Sequence, residues 1–138
     1  MKEPDEPTPL FLTVGHCGPD SWMLRTAVQR VVPDAAVEPV DRESDLDARL
    51  DAARDRPVVL LVNRKLDGDF TAEDGIDLIA GRREGTHVAL LVTNLADAMA
   101  EAEAIGALPG FGKSGLHDEG TSDVLRRASD AASARIAS

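Results

Sequence analysis

The stretch Pro57-Val58-Val59-Leu60-Leu61-Val62-Asn63 decides the fold of this chain. Its five consecutive apolar residues, three of them β-branched, predict a strand that is buried on both faces. Continuous apolar strands of this kind are typical of the centre of parallel sheets, where helices cover both faces. The apolar run stops at Asn63, so we expect this side chain to stand at the carboxyl end of a central strand. Ligands of open α/β sheets bind at that edge.

Four further segments predict strands, namely residues 10–14, 36–40, 88–92 and 108–112. Pro39 places the second of them toward an edge of the sheet, because proline cannot donate to a strand ladder. A helical pattern of apolar residues follows each strand, and five strand–helix units predict a doubly wound parallel sheet. Right-handed crossovers bring all five carboxyl ends to one edge. That edge would gather Gly15, His16, Asn63, Thr93 and Lys113.

Capping residues indicate where the helices begin and end. We expect Asp20 or Ser21, Ser44, Asn94 and Ser122 to cap four helices at their starts. Ser44 is followed three residues later by Asp47, which predicts a capping box. Gly106 is expected to end the helix that follows Asn94. In the first helix Met23 falls on the apolar stripe, whereas the position of Trp22, core or contact surface, stays open.

The composition bounds the class of protein. The chain has 138 residues, 43% of them hydrophobic and 3% aromatic, which predicts one domain with an aliphatic core. The net charge of -10 argues against nucleic acid and membrane surfaces as partners. A single cysteine, Cys17, excludes an internal disulfide and favours a cytoplasmic location. No apolar run approaches the ~20 residues that cross a bilayer.

The arrangement resembles the receiver domain of bacterial two-component response regulators. Three motifs carry the resemblance, in family order and spacing: Leu60-Leu61-Val62-Asn63, Leu90-Leu91-Val92-Thr93 and Gly110-Phe111-Gly112-Lys113. The run Glu101–Gly106, followed by Ala107, also looks like the family's segment before its fifth strand. The resemblance implies a flavodoxin-like (βα)5 three-layer sandwich with strand order 2-1-3-4-5. It covers a single receiver-like domain over residues 10–138, after a flexible N-terminal tail over residues 1–9.

The resemblance also assigns roles to individual positions. In active receivers the third strand ends in an aspartate that accepts a phosphoryl group, and two acids after the first strand help it to hold Mg²⁺. A Thr or Ser and a Lys at the fourth and fifth strand ends contact the phosphoryl oxygens. Thr93 and Lys113 match that pattern here, but Asn63 occupies the acceptor position, and Gly15 and His16 occupy those of the acidic pair.

This departure predicts a degenerate receiver. A carboxamide is a poor nucleophile that cannot form the mixed anhydride, and Mg²⁺ relies on carboxylates that glycine and histidine do not supply. We therefore expect no metal and no cofactor, with Asp67 or Asp69 of the following loop as the alternative source of carboxylates. Lys113 is expected to lack a neighbouring carboxylate and to bond the Asn63 amide and backbone carbonyls.

The predicted function is that of a stand-alone signalling domain, not an enzyme, that acts by phosphorylation-independent contact with another protein. That partner would be a histidine kinase, a regulator or an output protein. A homodimer through residues 95–105 and the last helix is a further expectation. One alternative is a pocket for a free phosphate-like anion, formed by His16, Asn63, Arg64, Thr93 and Lys113. Another is a phosphotransfer enzyme that uses Cys17, with Arg25 eight positions later.

Overall fold

A computed structural model describes residues 8–137 of the chain. Within that range the strands are β1 (Leu10–Val14), β2 (Ala36–Val40), β3 (Val58–Asn63), β4 (Val88–Val92) and β5 (Leu108–Phe111). The helices are α1 (Gly18–Val31), α2 (Glu43–Ala52), α3 (Gly75–Ala80), α4 (Ala96–Ala104) and α5 (Glu119–Ala137). A short 3₁₀ helix (Lys113–Gly115) joins β5 to α5.

The five strands form one parallel sheet in the order β2-β1-β3-β4-β5, which confirms the predicted topology. β3 is the central strand, paired with β1 on one side and β4 on the other. Val58–Val62 are all buried, as the continuous apolar run predicts, and Asn63 is the first partly exposed residue of the strand. Pro39 is exposed and lies in the edge strand β2.

The side chains of the sheet alternate between two hydrophobic clusters, because successive strand residues point to opposite faces. One cluster packs the sheet against α1 and α5, and it includes Phe11, Leu24, Val59, Leu61 and Leu125. The other packs the sheet against α2, α3 and α4, and it includes Leu12, Leu46, Leu60, Leu78 and Ala102. The result is the predicted three-layer sandwich.

The predicted N-terminal tail, residues 1–9, falls mostly outside the described residues. Its last two residues are attached to the domain. The Pro9 carbonyl accepts a hydrogen bond from the Ala36 amide at 2.9 Å, and Pro9 is buried. The Arg56 guanidinium donates to the carbonyl and the hydroxyl of Thr8 at 2.9 and 2.8 Å. Residues 8 and 9 therefore lie directly before β1, between the start of β2 and the segment that precedes β3.

The predicted helix starts are wrong in detail, because several helices begin earlier than their proposed caps. α1 begins at Gly18, so Asp20 and Ser21 lie inside its first turn. α2 begins at Glu43, and neither helix has a side-chain cap, so the Ser44 capping box does not form. Ser122 lies within α5, after the first turn has begun at Glu119.

Of the two residues predicted to bound α4, Asn94 does not act as its cap and Gly106 does end it. Asn94 does not cap the helix; its Oδ1 accepts instead from the backbone amide and the hydroxyl of Ser114, at 3.2 and 3.0 Å. Gly106 ends the helix as predicted, with φ of 108°. Its amide donates to the Glu103 carbonyl, and the Ala107 amide donates to the Ala102 carbonyl, which is the Schellman pattern.

The long loop between β3 and α3, residues 64–74, folds back over the carboxyl edge of β1 and β2. The Asp67 amide donates to the Gly15 carbonyl at 2.9 Å, and the Asp69 amide donates to the Asp41 carbonyl at 2.7 Å. The Glu43 amide returns a bond to the Asp69 carbonyl at 2.9 Å. The loop therefore covers the backbone at Gly15 and Asp41, on the edge of the sheet where the sequence predicts a ligand site.

A single carboxylate at the start of α2 holds the far half of this loop. Glu43 accepts hydrogen bonds from the backbone amides of Thr71 and Ala72, both at 3.2 Å, and from the Thr71 hydroxyl. Arg82 Nη2 lies 3.6 Å from Glu43 Oε2, the oxygen that also accepts from the Thr71 hydroxyl. The Thr71 hydrogen bond is the main reason that the pKa of Glu43 lies below its ordinary value. Hydrogen bonds therefore hold the loop at Asp67 and Asp69 and again at Thr71 and Ala72.

The docked loop predicts an outcome for Gly68. Its φ is 128°, and a Cβ atom there would collide with the Asp41 carbonyl. We expect Gly68→Ala to lower the free energy of unfolding by about 1–3 kcal/mol, measured by chemical denaturation. Gly120→Ala is the matched control, because Gly120 lies in α5 with open space around it and alanine favours helices by up to ~1 kcal/mol. Equal effects of the two substitutions would contradict the docked loop.

Candidate functional site

The Asn63 amide lies at the centre of the carboxyl edge of the sheet. Its Nδ2 donates to the Gly15 carbonyl at 3.0 Å and to the Lys65 carbonyl at 2.7 Å. Its Oδ1 accepts from Lys113 Nζ at 3.4 Å. The amide therefore links the end of β3 to the end of β1 and closes the turn that follows. A carboxylate has no hydrogen to donate, so it could not replace the amide in the first two bonds.

Lys113 is paired with an acid that the sequence analysis did not assign to the site. Its ammonium donates to Asp20 Oδ2 at 2.7 Å, and both side chains are about one-third exposed, at 29% and 33%. The expectation that Lys113 has no neighbouring carboxylate is therefore wrong. Because α1 begins at Gly18, its first turn carries Asp20 toward the end of β5. The hydrogen bond from Lys113 is the main cause that lowers the pKa of Asp20.

His16 is buried and neutral. Its Nε2 lies 2.9 Å from the Leu61 carbonyl, so this nitrogen carries the proton and donates it. Burial lowers the pKa of His16 to about 4, and the charge of Lys113 adds to this, against opposing contributions from the Leu61 bond and Asp20. Its Nδ1 is buried and has no hydrogen-bond partner among the described residues. At neutral pH the ring supplies no positive charge to the edge.

Gly15 is closed to any side chain. Its φ is 73°, and a Cβ atom there would lie 2.7 Å from Leu66 Cδ2 of the docked loop. Its carbonyl already accepts from both Asn63 and Asp67. An acid at this position would require the loop to move and the backbone to adopt a conformation that L-residues rarely take.

The five residues of the predicted anion pocket do not all meet. Asn63 and Lys113 are in contact, and His16 is near enough for the Lys113 charge to affect its pKa. Thr93 is buried, and its hydroxyl accepts from the Leu95 amide at 3.1 Å at the start of α4. Arg64 lines a separate groove between α3 and α4, beside Asp97. The prediction of one convergent cationic pocket is therefore wrong for Arg64.

The other acids and the thiol lie in different surroundings. Asp67 and Asp69 are exposed, and their amides bind across the sheet edge as described above. Within residues 8–137 no group of three or more His, Cys, Asp or Glu side chains is arranged to hold a metal ion. Cys17 is a free, half-buried thiol at the N-cap position of α1. Arg25 lines a hollow between α1 and β2 that Cys17 does not line.

None of the helices within residues 8–137 combines the length and the apolar character that crossing a bilayer requires.

The hydrogen bonds of Asn63 predict that an aspartate is unfavourable there. We expect Asn63→Asp to lower the free energy of unfolding by about 1–3 kcal/mol at neutral pH, because a carboxylate would face two carbonyl oxygens without a hydrogen. Asn94→Asp is the matched control: Asn94 uses only its oxygen as an acceptor, which a carboxylate preserves. Denaturant titration of both variants would refute the assignment if Asn94→Asp destabilised the domain as much as Asn63→Asp.

The neutral state of His16 predicts a pH dependence. Its folded pKa of about 4 lies below the ordinary 6.5, so the unfolded chain binds more protons between these values. Stability should therefore fall as the pH falls, by about 2 kcal/mol from pH 7 to pH 4.5 on account of His16. His16→Gln should flatten this slope. An identical slope in wild type and His16→Gln would overturn this account.

Comparisons with known proteins agree on the fold. No family model and no curated protein sequence matches the chain. Among solved structures, the signal receiver domain of a DNA-binding response regulator from Colwellia psychrerythraea 34H is similar, with a TM-score of 0.63 and 15% identity, over 87% of this chain and 96% of that one. A response regulator from Thermotoga maritima gives a TM-score of 0.62 and 17% identity, over 91% and 98%.

The receiver domain of the response regulator NarL from Mycobacterium tuberculosis gives a TM-score of 0.60 with 18% identity, over 93% of this chain and 98% of that one. These identities are low, and the likeness therefore concerns the arrangement of strands and helices. The strand order and the helices between the strands are those of the flavodoxin-like (βα)5 sandwich. The chain has the receiver-domain fold.

Proposed function

We propose that this receiver-fold domain serves two-component signalling through phosphorylation-independent contact with another protein. The observation that carries the proposal is the Asn63 amide, which uses both hydrogens on the Gly15 and Lys65 carbonyls and turns its oxygen to Lys113. The resemblance assigns to Asn63 the position from which a receiver's aspartate would accept a phosphoryl group, and its role as a structural hydrogen-bond donor supports the proposal.

The side chain of Asn63 supports this proposal, because it would be a poor nucleophile toward a phosphoryl group. A carboxamide carries no charge and does not form the acyl phosphate that a carboxylate forms. The amide nitrogen is also engaged by two carbonyls at 3.0 and 2.7 Å. Phosphoryl transfer would require these bonds to break before any reaction began.

The donor set also does not fit Mg²⁺. The ion prefers an octahedron of oxygen ligands with one or two carboxylates. The only carboxylate that contacts the Asn63–Lys113 pair, within the described residues, is Asp20, which is already paired with an ammonium at 2.7 Å. Lys113 lies between Asp20 and the Asn63 oxygen, where it supplies the positive charge that these oxygens need. A second cation there would meet electrostatic repulsion from Lys113.

The same pairing argues against a pocket for a free anion. Lys113 is neutralised by Asp20, and His16 is neutral at physiological pH. An incoming phosphate would have to displace Asp20 from Lys113 while remaining close to its charge. No observation therefore favours the anion-sensing alternative over the protein-binding one.

The surface of α4 supplies a contact region for a protein partner. Asp97, Glu101 and Glu103 are exposed on this helix, and Leu95 before it is 51% exposed. A single exposed leucine is ordinary on a protein surface, so α4 is proposed because it corresponds to the face that receiver domains use to dimerise or to bind partners. A second signalling protein is the partner that we propose, and a homodimer through residues 95–105 and α5 is the alternative.

The proposal predicts indifference to the chemistry of active receivers. Incubation with Mg²⁺ and acetyl phosphate, or with beryllofluoride, should change neither the melting temperature nor the backbone amide NMR shifts. A ligand that binds only the folded state would raise the melting temperature by mass action. An active receiver with the full acidic set, treated in parallel, verifies the reagents. Saturable shifts centred on Asn63, Thr93 and Lys113 would refute the proposal.

A further inference from the structure

A hollow of about 410 Å³ lies between the first two turns of α1 and the edge strand β2. It is separate from the Asn63–Lys113 contact, which lies at the ends of the central and far strands. Small residues on α1 create it, because Gly18 and Ser21 leave space where longer side chains would reach β2. Its apolar wall is formed by Val37 and Pro39, which point to the α1 face of β2. Small-molecule sites are typically concave and apolar, with a few polar groups.

The rim of the hollow carries the only tryptophan of the chain. Trp22 is 66% exposed, which leaves a large aromatic surface in water beside an apolar cleft. Met23, the next residue, is also exposed but does not line the hollow. An aromatic ring at the mouth of a cleft can stack on a flat ligand, and such pairs contribute beyond the area that they bury.

Polar groups line the same hollow from three elements. The hydroxyls of Thr13 and Ser21 lie 3.1 Å apart on its inner side. His16 also lines it, and its Nδ1 is the one buried side-chain nitrogen or oxygen without a partner among the described residues. This atom is closed off from solvent, so the polar partner that the hollow offers a bound molecule on this side is the hydroxyl of the partly exposed Ser21.

Two opposite charges complete the lining. Arg25, two turns along α1, presents a guanidinium that matches a carboxylate. Asp41, after the end of β2, disfavours an anion on its own side and favours a hydrogen-bond donor. Both residues are exposed, and within residues 8–137 neither side chain forms an ion pair that would have to break. The lining therefore distinguishes the two ends of a ligand.

We propose that this hollow binds a small flat aromatic carboxylate that carries a hydrogen-bond donor at its opposite end. The ring lies between Trp22 and the Val37 side of the cleft, the carboxylate pairs with Arg25, and the donor is directed to Asp41. The site does not include Asn63 or Lys113, so it does not depend on the proposed protein-binding function.

The test is an NMR titration of the full chain with 4-hydroxyphenylacetate. This probe has the ring, the carboxylate and the donor, while acetate lacks the ring and benzylamine reverses the charge. We expect saturable shifts of the Trp22 indole NH and of the Ser21 and Val40 amides below about 1 mM probe. Acetate and benzylamine should give no saturable shift at these positions.

Paired variants separate binding from folding. Arg25→Gln should weaken the response at least fivefold, whereas Arg127→Gln, an exposed arginine on α5, should leave it unchanged. Trp22→Ala should abolish it and Met23→Ala should not, as read from the Ser21 and Val40 amides in each variant. Absence of saturable shifts, an equal response to acetate, or loss of binding in the Met23 and Arg127 controls would overturn the proposal. A response confined to aromatic peptides would also overturn it.

Discussion

The two hydrogens of the Asn63 amide are the constraint on which the carboxyl edge of the sheet depends. One hydrogen joins β3 to the end of β1, and the other fixes the first turn of the loop that follows. The oxygen faces Lys113, which in turn holds Asp20 on α1. Three segments distant in sequence thus converge on one neutral side chain. A net contribution of about 1 kcal/mol per hydrogen bond is modest, but an unpaired partner at this position would cost more.

The docked loop and the amide reinforce each other. The Asp67 backbone amide and the Asn63 side-chain amide donate to the same Gly15 carbonyl, so one acceptor holds both the loop and the end of β3. Leu66 of the loop then fills the space in which a side chain at position 15 would have to lie. The centre of the edge, where Asn63, Lys113 and Asp20 pair with one another, therefore offers little to a ligand. Recognition by this domain is therefore better sought on the helical faces, where α1 and α4 expose Trp22 and Leu95.

The sequence was sufficient to predict the strands and their order, but not the contacts at the carboxyl edge of the sheet. Continuous apolar runs such as Val58–Val62 identify buried parallel strands because burial on both faces permits no polar residue, and the topology follows from right-handed crossovers. The pairing of Asp20 with Lys113 could not be predicted, because it depends on where α1 begins. The helix begins one turn earlier than its proposed capping residues indicate. The loop escaped for a similar reason: its docking depends on backbone bonds to Gly15 and Asp41, which side-chain patterns do not encode.

The residues at the three positions where the receiver resemblance would place acids, Gly15, His16 and Asn63, are physically coupled in this structure. An aspartate at 63 would face the Gly15 and Lys65 carbonyls without a hydrogen to offer. An acid at 15 would meet Leu66 in a backbone conformation that only glycine adopts readily. An acid at 16 would replace a neutral, buried ring with a charge whose desolvation is costly. Reversal of any one position therefore meets a structure adapted to the other two, and a working acidic cluster would require the loop to leave the edge as well.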